Sequence, residues 1–424
     1  MNIEHIHALF LKHPSVSTDT RKITKNDLYF ALKGDNFNGN AFTKQALENG
    51  ASYCIIDEEE FVVNNQCILV ENVLQTLQAL ATFHRKYLKL PIIALTGSNG
   101  KTTTKELIHA VLSKKYKTSA TIGNLNNHIG VPLTLLKMTK DTEIGIVEMG
   151  ANHPKEIELL CNLAFPDYGL ITNFGKAHLE GFGSVEGVIK AKSELYQHLI
   201  NHKKTIFVNS SDSIQLEKSQ GATTITFGQN KTEDFTIHFK SAQPKVSINY
   251  NNHQINSQLI GEYNFNNISV AIAIGAYFKV DDKQIKEAIE SYVPKNNRSQ
   301  IIEKGHTQII LDAYNANPSS MAVALNNFGK LEATNKIAIL GDMFELGKEA
   351  KAEHMAIAEL ANSLNLSKVI FVGENFHHAL PENNESYTSF DDFKMKFNLK
   401  TLKNATLFIK GSRGMALERV LDLL

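Results

Sequence analysis

The chain has 424 residues, and its 44 Lys and Arg residues balance 44 Asp and Glu residues. This length is too great for one ordinary core, so two or three domains are expected, and the balanced charge gives no basic field that would indicate a nucleic-acid partner. The sequence has no apolar stretch long enough to span a bilayer, and residues 1–10 are too polar for a signal peptide. We therefore expect a cytoplasmic protein without stable membrane insertion. Its cysteines, Cys54, Cys67 and Cys161, lack CxxC spacing and are expected to be buried free thiols.

Three α/β domains are predicted, at residues 1–88, 89–295 and 296–424. In the first, the predicted strands are 27–32, 52–57 and 67–70, and the predicted helices lie near 42–49 and 74–87. Pro91 disfavours helical backbone at the residue before it, which favours a boundary near 88–91.

The second domain is predicted to contain a parallel sheet, because apolar strands alternate with helical patterns. Its predicted strands are 92–95, 144–149, 168–172 and 205–208. Residues 223–258 contain short runs in which apolar and polar residues alternate with a period of two, as in strands. Asn251-Asn252 within them is typical of a hairpin turn. An apolar helix is predicted at 264–278.

The third domain is predicted to be a second α/β sheet of Rossmann-like size. The polar stretch 294–297 marks its beginning, and its predicted strands are 308–311, 336–340, 368–372 and 406–410.

A phosphate-binding loop is predicted where the apolar strand 92–95 runs into Thr96-Gly97-Ser98-Asn99-Gly100-Lys101-Thr102-Thr103. Gly97 and Gly100 allow the backbone to approach an anion, and the start of the next helix directs free N–H groups towards it. Lys101 is placed to reach the outer phosphates, and the Thr102 hydroxyl is placed to ligate magnesium. Leu95 occupies the position where the common pattern has its first glycine, so this loop is a shorter variant. The alternative is a plain turn between strand and helix.

Three further residues follow neighbouring strands or the next helix. Glu148 ends the strand 144–149 at the sheet edge where ligands bind in parallel α/β folds, and a carboxylate there suits Mg²⁺. His178 follows the next strand, and Lys192 lies on a helix that begins near Ser184. The alternatives are an exposed glutamate, a structural histidine and a surface lysine.

Several segments, in order along nearly the whole chain, resemble the Mur ligases. They are residues 96–104, residues 123–134, residues 148–152 and the segments around His178 and Lys192. The resemblance implies a small α/β uridine-nucleotide-binding domain, a central phosphate-loop domain that binds ATP, and a C-terminal Rossmann-like domain that closes on ATP and binds a dipeptide. It implies ATP-dependent ligation of D-alanyl-D-alanine to UDP-N-acetylmuramoyl-tripeptide through an acyl phosphate. A monomer without nucleic-acid partners is expected.

The resemblance also implies a role for individual residues. The implied ATP-binding residues are Thr96, Gly97, Ser98, Asn99, Gly100, Lys101, Thr102, Thr103, Asn264, Asn267, Arg298, Asp312 and Asn315. Two Mg²⁺ ions are implied at Thr102, Glu148, His178 and Lys192, with Lys192 carrying a carbamate formed from CO₂. The implied catalytic residues are Lys101, Lys192, His178 and Arg298. The implied residues for the uridine-nucleotide substrate are Ser17, Asp19, Arg21, Asn126 and Asn127.

Some positions depart from the family pattern, and alternatives remain. Tyr263 stands where histidine is usual, Lys176 replaces a common proline, and Asn40 replaces a frequent histidine. The nearest alternative is the preceding ligase of the family, which adds lysine or diaminopimelate; the segment 314–318 and the lack of an Asp-Asn-Pro-Arg motif disfavour it. A folylpolyglutamate synthetase would lack the uridine-binding domain. A non-catalytic nucleotide-binding homologue and a simple phosphate-loop kinase or GTPase are the remaining alternatives.

Overall fold

The computed structural model describes residues 2–295 and 297–424, whose strands form sheets of four, nine and six strands and one two-stranded hairpin. The predicted α/β fold class is confirmed. The predicted boundary at 295/296 involves Asn296, which lies outside the described residues, and the domain limits stay a prediction. None of the described helices is both long enough and apolar enough to cross a membrane.

The first sheet is parallel, with strand order β1-β2-β5-β6. The elements of this part are α1 Ile3–Lys12, β1 Val16–Ser17, β2 Leu28–Phe30, β3 Lys33–Gly34, β4 Phe37–Asn38, α2 Thr43–Glu48, β5 Tyr53–Ile56, β6 Cys67–Leu69 and α3 Val73–Leu88. All three residues of β2 are buried, as expected for a strand covered on both faces. The cysteines are free, and Cys54 and Cys161 are buried, but Cys67 is only half-buried because it lies on the edge strand β6.

The central sheet has the order β15-β14-β13-β12-β11-β10-β7-β9-β8. Its elements are β7 Ile92–Thr96, α4 Lys101–Leu112, β8 Thr118–Ala120, α5 Gly130–Leu136, β9 Ile144–Glu148, α6 Glu156–Ala164, β10 Tyr168–Ile171, α7 Leu179–Phe182, α8 Val185–Lys192, α9 Glu194–Asn201, β11 Thr205–Asn209, α10 Ser213–Lys218, β12 Thr223–Gly228, β13 Phe235–Ser241, β14 Ser247–Tyr250, β15 His253–Asn256, α11 Asn264–Tyr277 and α12 Asp282–Ser291. The predicted hairpin is confirmed, because Tyr250 pairs with His253 across Asn251-Asn252. The short edge strand β8 was not predicted, since its residues are only half-buried.

The C-terminal sheet has the order β16-β17-β21-β18-β19-β20 and is parallel except for the pairing of β16 with β17. Its elements are β16 Gln300–Lys304, β17 Thr307–Asp312, α13 Pro318–Lys330, β18 Lys336–Gly341, α14 Ala350–Ser363, β19 Lys368–Val372, α15 Glu374–Ala379, β20 Ser386–Tyr387, α16 Phe390–Lys396 and β21 Thr406–Lys410. The four predicted strands are present. The outer strands β16 and β20 were not predicted, because neither is an apolar run with both faces buried.

Strands β7, β9 and β10 place the candidate site. Every residue of β7 and β9 is buried, and the parallel pairing aligns Leu95 with both Glu148 and Leu170. The carboxyl ends of these strands therefore meet at one edge of the sheet, where ligands bind in this fold class.

A pair of buried histidines joins α1 to α3. His7 Nε2 lies 3.1 Å from His84 Nδ1, and His84 Nε2 lies 2.9 Å from the Met138 carbonyl oxygen. Because a carbonyl only accepts, we assign the His84 proton to Nε2, which leaves Nδ1 to accept from His7. Burial lowers the pKa of both histidines, and the charge of His84 lowers the pKa of His7 further. The folded state therefore disfavours protonation of both rings.

This pair should make the protein sensitive to acid. A folded-state pKa below the unfolded value of about 6.5 means that the stabilisation is present above that pH and is lost as the pH falls, by up to about 1.4 kcal/mol per pH unit for each extra proton bound on unfolding. The pH values 7.5 and 5.5 lie about one unit above and below the unfolded histidine pKa. Between them, the thermal midpoint of the wild type should fall more steeply than that of His84→Gln. His5→Gln, an exposed change on α1, is the matched control and should follow the wild type. Equal slopes for wild type and His84→Gln would contradict the assignment.

Candidate nucleotide-binding site

A cavity of about 1000 Å³ lies between the central and C-terminal sheets. Residues of the phosphate loop, of the end of β9 and of the start of α11 line it on the central side. Residues 298–299, the segment 312–320 and the segment 410–414 line it on the other side. Most of the predicted nucleotide residues thus line one space, whereas Thr96 and Gly97 do not line it.

The phosphate loop has the backbone that its glycines allow. Gly97 has φ +143° and Gly100 has φ +78°, in the region where side chains are strained. A Cβ on Gly97 would lie 2.0 Å from the Thr172 hydroxyl oxygen, and a Cβ on Gly100 would lie 2.7 Å from the Asn267 amide oxygen. Both glycines are therefore required by backbone conformation and by close approach.

Gly97→Ala should weaken nucleotide binding at least about tenfold, because strained backbone costs about 1–3 kcal/mol and the clash displaces the loop. Binding of a non-hydrolysable ATP analogue, followed by calorimetry, measures this. The control is Gly221→Ala, where φ is +82° but nothing lies within 4 Å of the new Cβ. Wild-type analogue affinity in Gly97→Ala would show that the loop does not hold the phosphates.

Lys101 is the first residue of α4, and its side chain hydrogen-bonds back to the phosphate loop. Its Nζ donates to the Gly97 carbonyl oxygen at 2.6 Å and to the Ser98 carbonyl oxygen at 3.4 Å. Burial lowers the pKa of Lys101, Arg298 lowers it further, and Glu148 opposes the shift. Carbonyl oxygens of its own loop thus accept the hydrogen bonds of the Lys101 ammonium group.

Asn173 anchors the loop from the end of β10. Its side-chain oxygen accepts from the Asn99 N–H at 3.1 Å, and its amide nitrogen donates to the Asn99 carbonyl at 3.0 Å. From the C-terminal part, the Asn317 amide nitrogen donates to the Asn99 side-chain oxygen at 2.8 Å. The sequence analysis assigned no role to Asn173 or Asn317; the position of Asn173 directly after a strand was the available signal.

Glu148 fits a magnesium site. Its side chain is buried, with Oε1 accepting from Asn126 at 2.8 Å and from the Thr102 hydroxyl at 3.3 Å. Oε2 is also buried, yet it has no hydrogen-bond partner among the described residues. A buried carboxylate oxygen left unpaired is costly, and a hard cation would satisfy it. Within residues 2–295 and 297–424, no cluster of three or more His, Cys, Asp and Glu side chains is arranged for a metal, so the remaining ligands would come from other groups.

Lys192 ends α8 and is fully buried, which excludes the surface-lysine alternative. Its Nζ donates to the Ala151 carbonyl at 3.1 Å and lies 5.2 Å from the centre of the Phe182 ring. Burial lowers its pKa well below the usual value, and the charge of Lys101 lowers it further. A neutral amine is the form that reacts with CO₂.

His178 lines the cavity and pairs with Glu345, a contact that the sequence analysis did not predict. Its Nδ1 hydrogen-bonds to the Glu345 carboxylate, and the Glu180 N–H donates to the Glu345 carbonyl at 3.1 Å. His178 lowers the pKa of Glu345. Since Glu345 follows β18, this contact ties the C-terminal part to the central sheet.

Asn264 and Asn267 lie at the start of α11 and line the cavity, but they mainly bond to each other and to the protein. Asn267 donates to Asn264 at 2.8 Å, Asn264 donates to the Ile260 carbonyl at 2.7 Å, and the Thr104 hydroxyl donates to Asn267 at 3.1 Å. These buried bonds fix α11 against α4, the helix of the phosphate loop.

Arg298, Asp312 and Asn315 line the cavity from the C-terminal side. The Arg298 guanidinium carbon lies 3.7 Å from the centre of the Tyr314 ring. Lys410 donates to Asp312 at 2.5 Å and to the Asn315 carbonyl at 3.2 Å. The sequence analysis did not assign Lys410 this pairing role, although its position at a strand end was a signal.

The residues expected to bind the uridine nucleotide divide into two groups. Asn126 and Asn127 line the cavity, and the Asn127 side chain also accepts from the Gly130 N–H at 2.9 Å at the start of α5. Ser17, Asp19 and Arg21 do not line it. Arg21 makes two hydrogen bonds to the Asp19 carboxylate, both at 2.9 Å, and lowers the pKa of Asp19 to about 2. The structure therefore does not bring these three residues to the phosphate loop.

Three family models match the chain. They are the Mur ligase family catalytic domain at residues 14–87, the Mur ligase middle domain at 95–275 and the Mur ligase glutamate ligase domain at 297–413. UDP-N-acetylmuramoyl-tripeptide–D-alanyl-D-alanine ligase of Bacillus subtilis (strain 168) is 34% identical over 421 residues, covering 96% of this chain and 92% of the relative.

Solved structures agree with these matches. A crystal structure of MurF from Acinetobacter baumannii has a TM-score of 0.86 at 29% identity and covers 96% of this chain and 93% of that one. A crystal structure of MurF from Thermotoga maritima in complex with ADP has a TM-score of 0.82 at 26% identity and covers 97% of each chain. The similarity therefore extends over all three sheets.

Proposed function

The chain belongs to the Mur ligase family, and on that premise we propose that it uses ATP to join D-alanyl-D-alanine to UDP-N-acetylmuramoyl-tripeptide. The products are UDP-N-acetylmuramoyl-pentapeptide, ADP and phosphate. The observation that carries the proposal is that Lys101 and Glu148 of the central part and Arg298, which precedes the C-terminal sheet, line one cavity. The relatives named for this reaction support it, as does the bound ADP of the Thermotoga maritima protein.

The first step forms an acyl phosphate. A stem-peptide carboxylate oxygen attacks the γ-phosphorus of ATP, an O–P bond forms, and ADP leaves. Such a transfer depends on positioning and on neutralising charge. The loop N–H groups and Lys101 hold the phosphates, and Arg298 supplies a second cation from the C-terminal side.

The second step forms the amide. The amine of D-alanyl-D-alanine attacks the activated carbonyl, phosphate leaves, and the amine gives up a proton. The segments 340–347 and 410–413 are proposed to hold the dipeptide, because Phe344, Glu345 and Arg413 line the cavity beside the phosphate loop. Contacts such as that of His178 with Glu345 bring the C-terminal part over the loop, and such closure excludes water from a hydrolysable intermediate.

Two Mg²⁺ ions are proposed, at Thr102, Glu148, His178 and Lys192. Bound there, the ions would neutralise phosphate charge. The unpaired Glu148 Oε2 supports this assignment. The Lys192 amine, in its neutral form, is proposed to form an N–C bond with CO₂ and release one proton, which replaces a buried amine with oxygen donors suited to a hard metal.

Ser17, Asp19 and Arg21 are proposed to hold the uridine nucleotide on the first sheet, with Asn126 and Asn127 nearer the reacting end. Since ATP and a uridine nucleotide are the substrates, a cytoplasmic location is proposed. The protein is also proposed to act as a monomer.

Mass analysis of the nucleotide product tests the function. The purified protein is incubated with Mg-ATP, D-alanyl-D-alanine and a tripeptide precursor containing either lysine or diaminopimelate. We expect a pentapeptide product with an equal amount of ADP. A parallel incubation supplies the dipeptide precursor with lysine or diaminopimelate, and addition of a single amino acid there would instead indicate the preceding ligase. ATP binding without any product would indicate a non-catalytic homologue.

A further inference from the structure

The segment that leads from the central sheet to the C-terminal sheet has an unusual backbone at residues 297–299. Asn297 has φ +57° and Ser299 has φ +48°. Asparagine tolerates this left-handed region, but serine is uncommon there, so surrounding contacts must hold it. Arg298 lies between the two residues, so its direction depends on how this backbone is held.

Two hydrogen bonds hold Ser299, one from each side of the cavity. Its N–H donates to Asp312 Oδ1 at 3.1 Å, on β17 of the C-terminal sheet. Its hydroxyl lies 2.8 Å from the hydroxyl of Tyr263, which directly precedes α11 of the central part. Ser299 is buried, so neither bond is readily replaced by water. Tyr263 is therefore the contact that fixes this backbone relative to the central part.

The Arg298 side chain has a hydrogen-bond donor available for an anion. Its guanidinium stacks on Tyr314, whose N–H donates to the Asn297 carbonyl at 3.2 Å. Its Nε is buried and bonds to no described residue. Arg298 and Tyr263 both line the cavity. A guanidinium with an unused buried donor beside the phosphate loop suits a phosphate oxygen.

We propose that Tyr263 is a positioning residue for ATP: its hydroxyl holds Ser299 in the left-handed conformation and thereby directs Arg298 at the nucleotide phosphates. This inference rests on the proposed function for the role of Arg298. Tyr263 thus acts through Arg298 and needs no contact with the reacting atoms. The bond from Tyr263 to Ser299 also connects the nucleotide residues of the two sheets, because Asn264 and Asn267 link the same end of α11 to the loop helix α4.

Tyr263→Phe tests the proposal, because it removes the hydroxyl and keeps the ring. With Mg²⁺ and the β,γ-imido analogue of ATP, calorimetry should show binding weakened about threefold to tenfold, the range expected for one lost hydrogen bond. Binding of UDP-N-acetylmuramoyl-tripeptide should not change, and the KM for ATP should rise more than kcat falls. Ser299→Ala removes the same bond from the other side and should give the same result.

Tyr116→Phe is the matched control, because the Tyr116 hydroxyl donates to the Phe278 carbonyl at 2.7 Å, outside the cavity. It should lower the thermal midpoint about as much as Tyr263→Phe and leave analogue binding unchanged. A purely structural role for Tyr263 would make the two variants alike in both measurements and would overturn the proposal.

The double variant separates action through Arg298 from direct contact. In an Arg298→Ala background, Tyr263→Phe should weaken analogue binding no further. If Tyr263→Phe weakens analogue binding in the Arg298→Ala background as much as it does in the wild type, the proposal is overturned. A wild type that binds the analogue but makes no pentapeptide would reject the proposed function and leave this comparison valid. A wild type that does not bind the analogue would reject both.

Discussion

Lys101→Ala should reduce pentapeptide formation by about a thousandfold or more, since loss of one group that stabilises developing charge costs about a hundredfold to a thousandfold and this lysine also holds the phosphate loop. Its Nζ bonds to the Gly97 and Ser98 carbonyls, so the variant loses both the phosphate contact and the loop closure. Acyl-phosphate formation, measured as ADP released with the tripeptide precursor present, should disappear.

Binding of UDP-N-acetylmuramoyl-tripeptide should remain nearly intact in Lys101→Ala, because the proposed uridine site lies on the first sheet. Lys137→Ala, an exposed change on the central part, is the control and should keep wild-type turnover. If Lys101→Ala loses both ADP release and binding of UDP-N-acetylmuramoyl-tripeptide, and its thermal midpoint falls, the variant is unfolded. Normal ADP release would remove Lys101 from the phosphate-binding role.

Lys192→Ala should lower turnover about a hundredfold or more, because the variant removes the oxygen donors that the carbamate would supply. Burial lowers the pKa of Lys192 well below its usual value, which favours the neutral amine that carbamate formation requires. Short carboxylic acids such as acetate should restore part of the activity, since they place two oxygens in the space left by the side chain. Initial rates measured with and without acetate report this.

Lys190→Ala is the control for Lys192→Ala, because Lys190 lies two residues earlier on α8 and is exposed. It should have normal rates and no response to acetate. Depleting CO₂ and bicarbonate should slow the wild type and leave Lys192→Ala unaffected. Full activity of Lys192→Ala would remove the carbamate from the mechanism.

The strands of the central and C-terminal sheets were predictable because they are local patterns. Buried parallel strands are continuous apolar runs, and β7, β9, β19 and β21 were predicted to within one residue. The edge strands β8, β16 and β20 were missed, because their residues are only half-buried or exposed and an edge strand need not be an apolar run.

The phosphate loop was also predictable, since its chemistry depends on residues that adjoin one another. Gly97, Gly100, Lys101 and Thr102 lie within six positions, and their conformations follow from that short segment. The sequence selected Glu148 and Lys192 as candidates, but their burial was not predictable: one strand-end glutamate and one helix-end lysine resemble any others until the surrounding helices pack.

The sequence by itself determined the order of the elements, the phosphate loop and the family, because these are carried by residues close together along the chain. Only the tertiary structure decided that Glu148 keeps an unpaired oxygen, that His178 pairs with Glu345, and that Tyr263 holds Ser299. The physical reason is that each of these features depends on side chains that are separated by tens of residues or more. Whether a polar group is satisfied or left free therefore depends on how the sheets come together.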